Sequence, residues 1–403
     1  MSHIVVVGAG QAGQALVTKL RALDFAGKIT LIGEEPVPPY QRPPLSKKYL
    51  LGEMDLERLY LRPEIFYVEH DIDLQLGRAV TGINPDAKTI QLGSDVLPYD
   101  QLALTTGATP RHLPDAIGGN LGGVYVVRTL GDVDSMAAEF QPGRKVLIIG
   151  GGYIGLEAAA VAARKGLHVT LIEMADRILQ RVAAKETSDF IRAAHIAEGV
   201  NIREGVGLKT LNGSTRVASA TLSDGSEIET DFVIVGVGIT PESDLAESAG
   251  LTLNNGIETN AFGQTSDPAI WAAGDCASFP HQGGRIRLES VGNAIDQAEI
   301  VAENMLGAQK EYLLKPWFWS DQFDMKLQIA GLNTGYDRVV VRPGENDGSV
   351  SHWYYRGGDL LAVDAINDSR AYMVGKRLIE MGKSPTVDEI SDPKTNLKQL
   401  LKA

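Results

Sequence analysis

Apolar residues along this chain fall into short unbroken runs separated by amphipathic stretches, the pattern of parallel strands buried on both faces and joined by helices. Ile4-Val-Val-Val7 reads as the first strand. A helix follows with Leu16, Leu20 and Leu23 as its apolar face; Gly27 breaks it, and Ile29-Thr-Leu-Ile32 is the next strand. The order then returns. Lys145-Val-Leu-Ile-Ile149 is a strand, Glu157 to Lys165 an Ala-rich helix ended by Gly166, and His168-Val-Thr-Leu-Ile172 a strand. A second echo joins the halves: Asp100-Gln-Leu-Ala-Leu-Thr-Thr-Gly107-Ala-Thr109-Pro110 is repeated in kind by Asp231-Phe-Val-Ile-Val-Gly-Val-Gly238-Ile-Thr240-Pro241. Both are apolar strands ending in Gly-x-Thr-Pro, which points to an internal duplication. The C-terminal part is patterned differently. Val339 to Val341, Val350 to Tyr355 and Leu360 to Ile366 predict strands, with Gly357-Gly358 a hairpin turn, and a helix is predicted over Met373 to Met381.

Each repeat carries a glycine loop between its first strand and its helix: Gly8-Ala9-Gly10-Gln11-Ala12-Gly13 and Gly150-Gly-Gly152-Tyr-Ile-Gly155. In such a loop the glycines allow a tight turn, close backbone approach to a pyrophosphate and close helix–strand packing, and the helix N-terminus offers its N–H groups to the phosphates. An acid past the second strand accepts from an adenosine ribose. Glu34 stands 21 residues after Gly13, and Glu173 stands 18 after Gly155. Glu173 predicts NADH over NADPH, since a carboxylate accepts from the 2′-OH and repels a 2′-phosphate. Arg177 is read as an exposed arginine. Two adjacent sites for adenine dinucleotides most simply pass a hydride between them, one dinucleotide being a flavin.

Composition narrows the reading by exclusion. A chain of 403 residues allows two or three domains, and its 44% hydrophobic content suits a packed globular protein. The 44 glycines follow no G-x-y period, so collagen is excluded. With 38 basic and 51 acidic residues the net charge is −13, which argues against a nucleic-acid partner. Cys276, the single cysteine, rules out an internal disulfide or a dithiol mechanism. The seven histidines include no i,i+4 pair, so no metal site is expected. No apolar run approaches the length of a membrane span, and Met1-Ser2-His3 leads into Ile4 to Val7 without a basic leader or cleavage site, so a cytoplasmic protein is expected.

The motifs together resemble the FAD-dependent NADH:ferredoxin reductases of bacterial oxygenase and cytochrome P450 systems, of the putidaredoxin reductase type. The resemblance spans essentially the whole chain. It rests on Gly8-x-Gly10-x-x-Gly13, Arg42-Pro-Pro-Leu-Ser-Lys47, Thr106-Gly107, Gly150-Gly-Gly-Tyr-Ile-Gly-Leu-Glu157, Trp271-Ala-Ala-Gly274-Asp275-Cys276, Glu289-Ser-Val-Gly-Asn293 and Pro316-Trp-Phe-Trp319. Thr105 departs from it, standing where the family commonly has alanine; a change of packing is expected there.

The resemblance implies an α/β fold of two Rossmann-like dinucleotide-binding domains, glutathione-reductase-like, plus an α+β C-terminal domain. Residues 1–111 and 242–318 would form a discontinuous FAD domain, 112–241 an NAD domain and 319–403 an interface domain. FAD would lie on Gly8, Gly10, Ala12 and Gly13, with Glu34 at its ribose and further contacts from Val80, Thr106, Gly107 and Arg128. Asp275 would bind a ribitol hydroxyl, the other reading of that residue being a turn cap. Val291 would open a helical stretch, Ala294 to Leu306, whose positive end faces the flavin. NADH would lie on Gly150, Gly152, Gly155 and Glu173.

Lys47 and Glu157 are the catalytic candidates. The resemblance puts Lys47 beside the flavin ring and brings Glu157 towards the nicotinamide, paired with Lys47. Both are read as positioning groups, because hydride transfer needs alignment more than acid–base help. Their plainer readings are an exposed lysine at a helix start and an acid in the first turn of its helix. Trp319 is assigned to the flavin and the docking face; Trp317 and Phe318 stay open between core and interface. Arg62 and Lys326 are candidates for a basic patch that steers an acidic [2Fe–2S] ferredoxin, against plain solvated charge.

Rival readings are weighed on the same residues. A disulfide-type reductase, or an NADH peroxidase or oxidase, needs redox cysteines where Pro43-Pro44-Leu45-Ser46-Lys47 has none. A rubredoxin reductase shares every motif. A flavoprotein scaffold without turnover tends to carry targeting segments or long insertions, neither of which is seen. Monomer and weak homodimer both stay open, and neither a membrane nor a nucleic acid is expected as partner.

Overall fold

The structure is a computed structural model that describes residues 2–402, so the expected start at Met1 and the domain end at Ala403 lie outside the described residues. In chain order the elements used below are β1 (His3–Val7), α1 (Gln11–Ala22), β2 (Lys28–Ile32), β3 (Gln101–Leu104), β4 (Lys145–Ile149), α2 (Tyr153–Arg164), β5 (His168–Glu173), α3 (Lys185–Ala197), β6 (Phe232–Val235), β7 (Ile270–Ala272) and α4 (Val291–Met305). The C-terminal part adds β8 (Trp317–Gln322), β9 (Met325–Gly331), β10 (Arg338–Pro343), β11 (Val350–Arg356), β12 (Asp359–Ile366) and α5 (Ser369–Glu380). Among the described residues two compact units result, one of residues 2–42, 55–109 and 239–315, the other of 43–54, 110–238 and 316–402.

The first unit is built on a five-stranded parallel sheet in the order β7, β3, β1, β2 and Ile72–Gln75. Alternation along β1 splits its run between two cores. Ile4 and Val6 face α1 and α4, where Leu16, Val17, Leu20, Ala298 and Val301 close one layer. Val5 and Val7 face a second layer that includes Ile90, Leu92 and Leu251. Both faces are covered, as the unbroken apolar run required. Leu16 and Leu20 are fully buried, each contributing roughly 1.5–3 kcal/mol. Leu23, expected on that face, is 39% exposed. The helix already ends at Ala22, and Asp24 turns the chain in the left-handed region (φ 55°), three residues before Gly27.

The second unit repeats the sheet: Asn201–Glu204, β5, β4, β6 and Val124–Tyr125, all parallel. It also holds a five-stranded antiparallel sheet in the order β8, β9, β12, β11, β10. The expected turn at Gly357-Gly358 joins β11 to β12 with both glycines at positive φ, 57° and 103°, as a two-residue hairpin turn demands. The helix expected from Met373 starts earlier, at Ser369, because the Asp368 side chain accepts the Ala371 N–H and caps it. Met373 and Met381 are exposed, and Tyr372, Val374 and Leu378 supply the buried face.

Among the described residues no helix is long and apolar enough to cross a membrane, and no group of three His, Cys, Asp or Glu side chains is placed to hold a metal ion.

Candidate functional site

The two glycine loops have the same construction. A Cβ on Gly8 would lie 2.2 Å from the Thr105 carbonyl oxygen, and Gly8 sits at φ 111°. A Cβ on Gly13 would lie 2.0 Å from the Gly8 oxygen. In the second loop a Cβ on Gly150, at φ 109°, would meet the Gly236 oxygen at 2.3 Å, and one on Gly155 the Gly150 oxygen at 2.1 Å. The outer glycines are therefore fixed by contacts within the chain. The middle ones are not: a Cβ on Gly10 or Gly152 meets nothing within 4 Å, and both residues have ordinary extended backbone. The protein's own packing leaves Gly10 and Gly152 unexplained, whereas close approach of a phosphate to the backbone explains both. Each residue also stands at the N-cap of its helix, and no side chain caps either end. Ser290 and Asp368, by contrast, cap α4 and α5. The uncapped N–H groups suit a pyrophosphate, so the residues present fit two dinucleotides.

Around the first loop the structure gathers several of the expected flavin residues. Gly274, just before Asp275, packs so closely that a Cβ there would come 3.1 Å from the Ala12 Cβ. Its N–H donates to Gln297 on α4. Thr106 Oγ1 donates to the Glu242 carbonyl at 2.6 Å, and Glu242 N–H donates to the Gly107 carbonyl at 2.9 Å. Thr105, the departure noted above, is buried and donates to the Val7 and Gly8 carbonyls (3.1 and 2.8 Å). Val291 is the first residue of α4, which therefore begins three residues before Ala294. Val80 opens the strand Val80–Asn84, half-buried. Lys47, Arg128 and Trp319 belong to the second unit.

The two acids do not hold equivalent places. Ile32 lies opposite Val7 and Ile172 opposite Ile149, so strand register equates Glu173 with Gly33 and leaves Glu34 one residue beyond. Glu34 is exposed, and its neighbour Glu35 accepts from Tyr40 (2.6 Å) and Arg42 (2.7 Å). Glu173 is held at its loop: one oxygen accepts from Gly151 N–H at 2.7 Å and the other from Ala175 N–H at 2.8 Å. Arg177 is half-buried, a correction to its reading as exposed. It donates to Ser188 Oγ at 2.5 Å and the Ala183 carbonyl at 2.9 Å.

Lys47 and Glu157 come together in the second unit. Lys47 Nζ lies 2.9 Å from Glu157 Oε1, with the two side chains 14% and 1% exposed. Ser320 Oγ donates to the same oxygen at 2.6 Å, and Ser46 Oγ donates to Oε2 at 2.6 Å. Burial pushes the Glu157 carboxyl above its ordinary range, while Lys47 and the two hydroxyls pull it back. The sequence placed Glu157 in the first turn of its helix. The helix starts four residues earlier, at Tyr153, which puts Glu157 in the second turn, facing inward. Its plainer reading as an acid in the first turn of its helix is thereby excluded.

Sequence reasoning missed Ser46 and Ser320. Ser46 lay within a quoted motif, and Ser320 had a signal in strand parity. Along β8, Phe318, Ser320 and Gln322 share one face, and Phe318 meets Tyr153 with ring centroids 4.8 Å apart. Trp317 and Trp319 share the other and stack at 5.3 Å. Trp317 therefore goes with Trp319, and neither Trp317 nor Phe318 is a buried core residue. Arg62 and Lys326 are exposed.

Residues 2–298 match the family described as pyridine nucleotide-disulphide oxidoreductase, and residues 317–401 the domain described as reductase C-terminal. A ferredoxin–NAD(P)(+) reductase of Sphingomonas sp is 43% identical, covering 99% of this chain and 97% of its own. Rhodocoxin reductase of Rhodococcus erythropolis is 41% identical over 98% and 93%. The crystal structure of a covalent putidaredoxin reductase–putidaredoxin complex matches with TM-score 0.96 at 39% identity, over 100% of this chain and 98% of that one.

Proposed function

The chain belongs to the pyridine nucleotide-disulphide oxidoreductase family, and from that premise we propose that it is an FAD-dependent reductase that takes electrons from NADH and passes them singly to a [2Fe–2S] ferredoxin serving a cytochrome P450 or another oxygenase. The observation that carries this is the twin loops, in which Gly10 and Gly152 are demanded by nothing inside the protein. FAD, when bound, accepts electrons as a pair and gives them up one at a time, which suits a two-electron donor and a one-electron partner.

The chain's own residues do the rest. In this reading, residues 1–111 and 242–318 hold FAD through the Gly8–Gly13 loop, Glu34, Val80, Thr106, Gly107, Asp275 and the start of α4 at Val291. Residues 112–241 hold NADH through Gly150, Gly152, Gly155 and Glu173, and residues 319–403 meet the partner. Arg128 and Trp319 are further flavin contacts. Lys47 is the fixed cation of the reaction, and Glu157 keeps it in place. The protein is read as cytoplasmic, and as a monomer or weak homodimer.

Anaerobic stopped-flow mixing with NADH is expected to bleach the bound flavin, and cytochrome c reduction is then expected to depend on added [2Fe–2S] ferredoxin. Turnover with rubredoxins instead, or with no carrier in a broad panel, would refute the proposal. Coenzyme choice gives a second check. The Glu173 carboxylate is pinned where a 2′-phosphate would meet like charge, and Arg177 is committed elsewhere. Glu173→Ala is expected to weaken NADH use and to lower the NADH/NADPH preference in kcat/KM by about tenfold or more, since like-charge contacts cost several kcal/mol. An unchanged ratio removes that assignment.

A further inference from the structure

Behind Glu157 runs a file of buried polar side chains. Ser320, which donates to Glu157 Oε1 at 2.6 Å, accepts in turn from Gln322 Nε2 at 3.0 Å. Gln322 Oε1 lies 2.8 Å from His195 Nε2. None of the four is more than 2% exposed. They come from three elements: Glu157 from α2, Ser320 and Gln322 from β8, and His195 from α3.

The direction of the file follows from its end. An ionised carboxylate only accepts, so Ser320 must donate to it. Ser320 then takes the Gln322 amide N–H, and the Gln322 carbonyl requires a proton on His195 Nε2. His195 Nδ1 is buried with no hydrogen-bond partner, and a Phe323 ring packs edge-on at 4.9 Å. A bare ring nitrogen there costs less than a stranded N–H or a full charge, so the imidazole is neutral with its proton on Nε2. Burial holds its pKa below the ordinary value, in agreement. Every dipole in the file thus points at Glu157, and aligned hydrogen bonds reinforce one another at low dielectric.

The groups facing Glu157 are the Lys47 ammonium, the Ser46 hydroxyl from the turn Pro43–Ser46 and the Ser320 hydroxyl from β8; Lys47 is the charged one. One cation does not by itself offset the desolvation of a carboxylate buried this deeply. We propose that His195, Gln322 and Ser320, together with Ser46, are positioning residues that keep Glu157 ionised and so hold the Lys47 side chain in place for the reaction. This rests on the reading of Lys47 and Glu157 as the working pair of the reductase.

The test is an infrared pH titration of the holoprotein. The C=O stretch of protonated Glu157 is identified as the band absent from Glu157→Gln. Ser320→Ala and Gln322→Leu are expected to raise the pH at which that band appears by about one unit or more, as loss of a hydrogen bond to the charged form requires. The acid limb of flavin reduction by NADH is expected to move with it, with flavin content unchanged. Ser320→Thr, which keeps the hydroxyl, is expected to restore both. In a Glu157→Gln background Gln322→Leu is expected to leave the limb where it was. A band that stays in place in a folded Gln322→Leu protein overturns the proposal. Because the infrared titration needs neither NADH nor a carrier, a shifted band without reduction by NADH would support the file and refute only the functional reading.

Discussion

Gly10→Ala is expected to give a folded protein that has lost most of its flavin, whereas Gly13→Ala is expected to damage the fold itself. The difference lies in where each methyl goes. At Gly13 it would collide with the Gly8 carbonyl oxygen at 2.0 Å, backbone against backbone, with no flexible side chain to yield. At Gly10 it meets nothing in the protein, and φ −95° is comfortable for alanine. Only a ligand can object to it. Overpacking costs about 1–3 kcal/mol, so flavin affinity should fall about 10- to 100-fold while the melting temperature of the apoprotein holds. Gly152→Ala is expected to spare the flavin and raise the KM for NADH by a similar factor. Flavin content after gel filtration, apoprotein melting and NADH kinetics separate these outcomes. Full flavin occupancy in Gly10→Ala would remove the first cradle from the proposed function.

The second large effect is expected at Lys47. Lys47→Met leaves the Glu157 carboxylate buried against two hydroxyls without its cation. Breaking a buried pair from one side costs about 3–5 kcal/mol, part of which Glu157 escapes by taking up a proton. Its carboxyl, already raised by burial, then titrates at a still higher pH. Flavin reduction by NADH is expected to slow about 100-fold, the scale seen when one preorganised electrostatic group is removed. The double variant Lys47→Met/Glu157→Gln separates the two consequences: melting should recover, because no charge is left stranded, and the rate should not. A Lys47→Met protein reduced at the wild-type rate would end the role given to this lysine.

Local backbone geometry made the loops legible in the sequence. Each outer glycine is demanded by an atom five residues away or just past the adjoining strand, so Gly8, Gly13, Gly150 and Gly155 announce themselves by spacing. The pair of acids was harder. The spacing of 21 against 18 residues conceals a longer helix–strand connection in the first repeat and one extra residue, Gly33, which displaces Glu34 from the place Glu173 holds. The surroundings of Glu157 were out of reach for another reason. Ser320 lies 163 positions along the chain: alternation along β8 sets it on the face opposite Trp319, but no local pattern brings that face to Glu157. The same parity separates Phe318 from the two tryptophans. Leu23 fits the helical period of Leu16 and Leu20 and is still 39% exposed, because a period gives the direction of a face and the helix has already ended at Ala22.

Cys276 has no exposed surface, and its thiol donates to the Leu104 and Ala273 carbonyls, each at 3.5 Å. Burial pushes the thiol up, away from the thiolate form that exchange chemistry needs. Its family takes its name partly from sulfur exchange, yet this chain has no second sulfhydryl to exchange with. Electrons that enter therefore find no pair of thiols in the polypeptide on which to rest before an acceptor takes them.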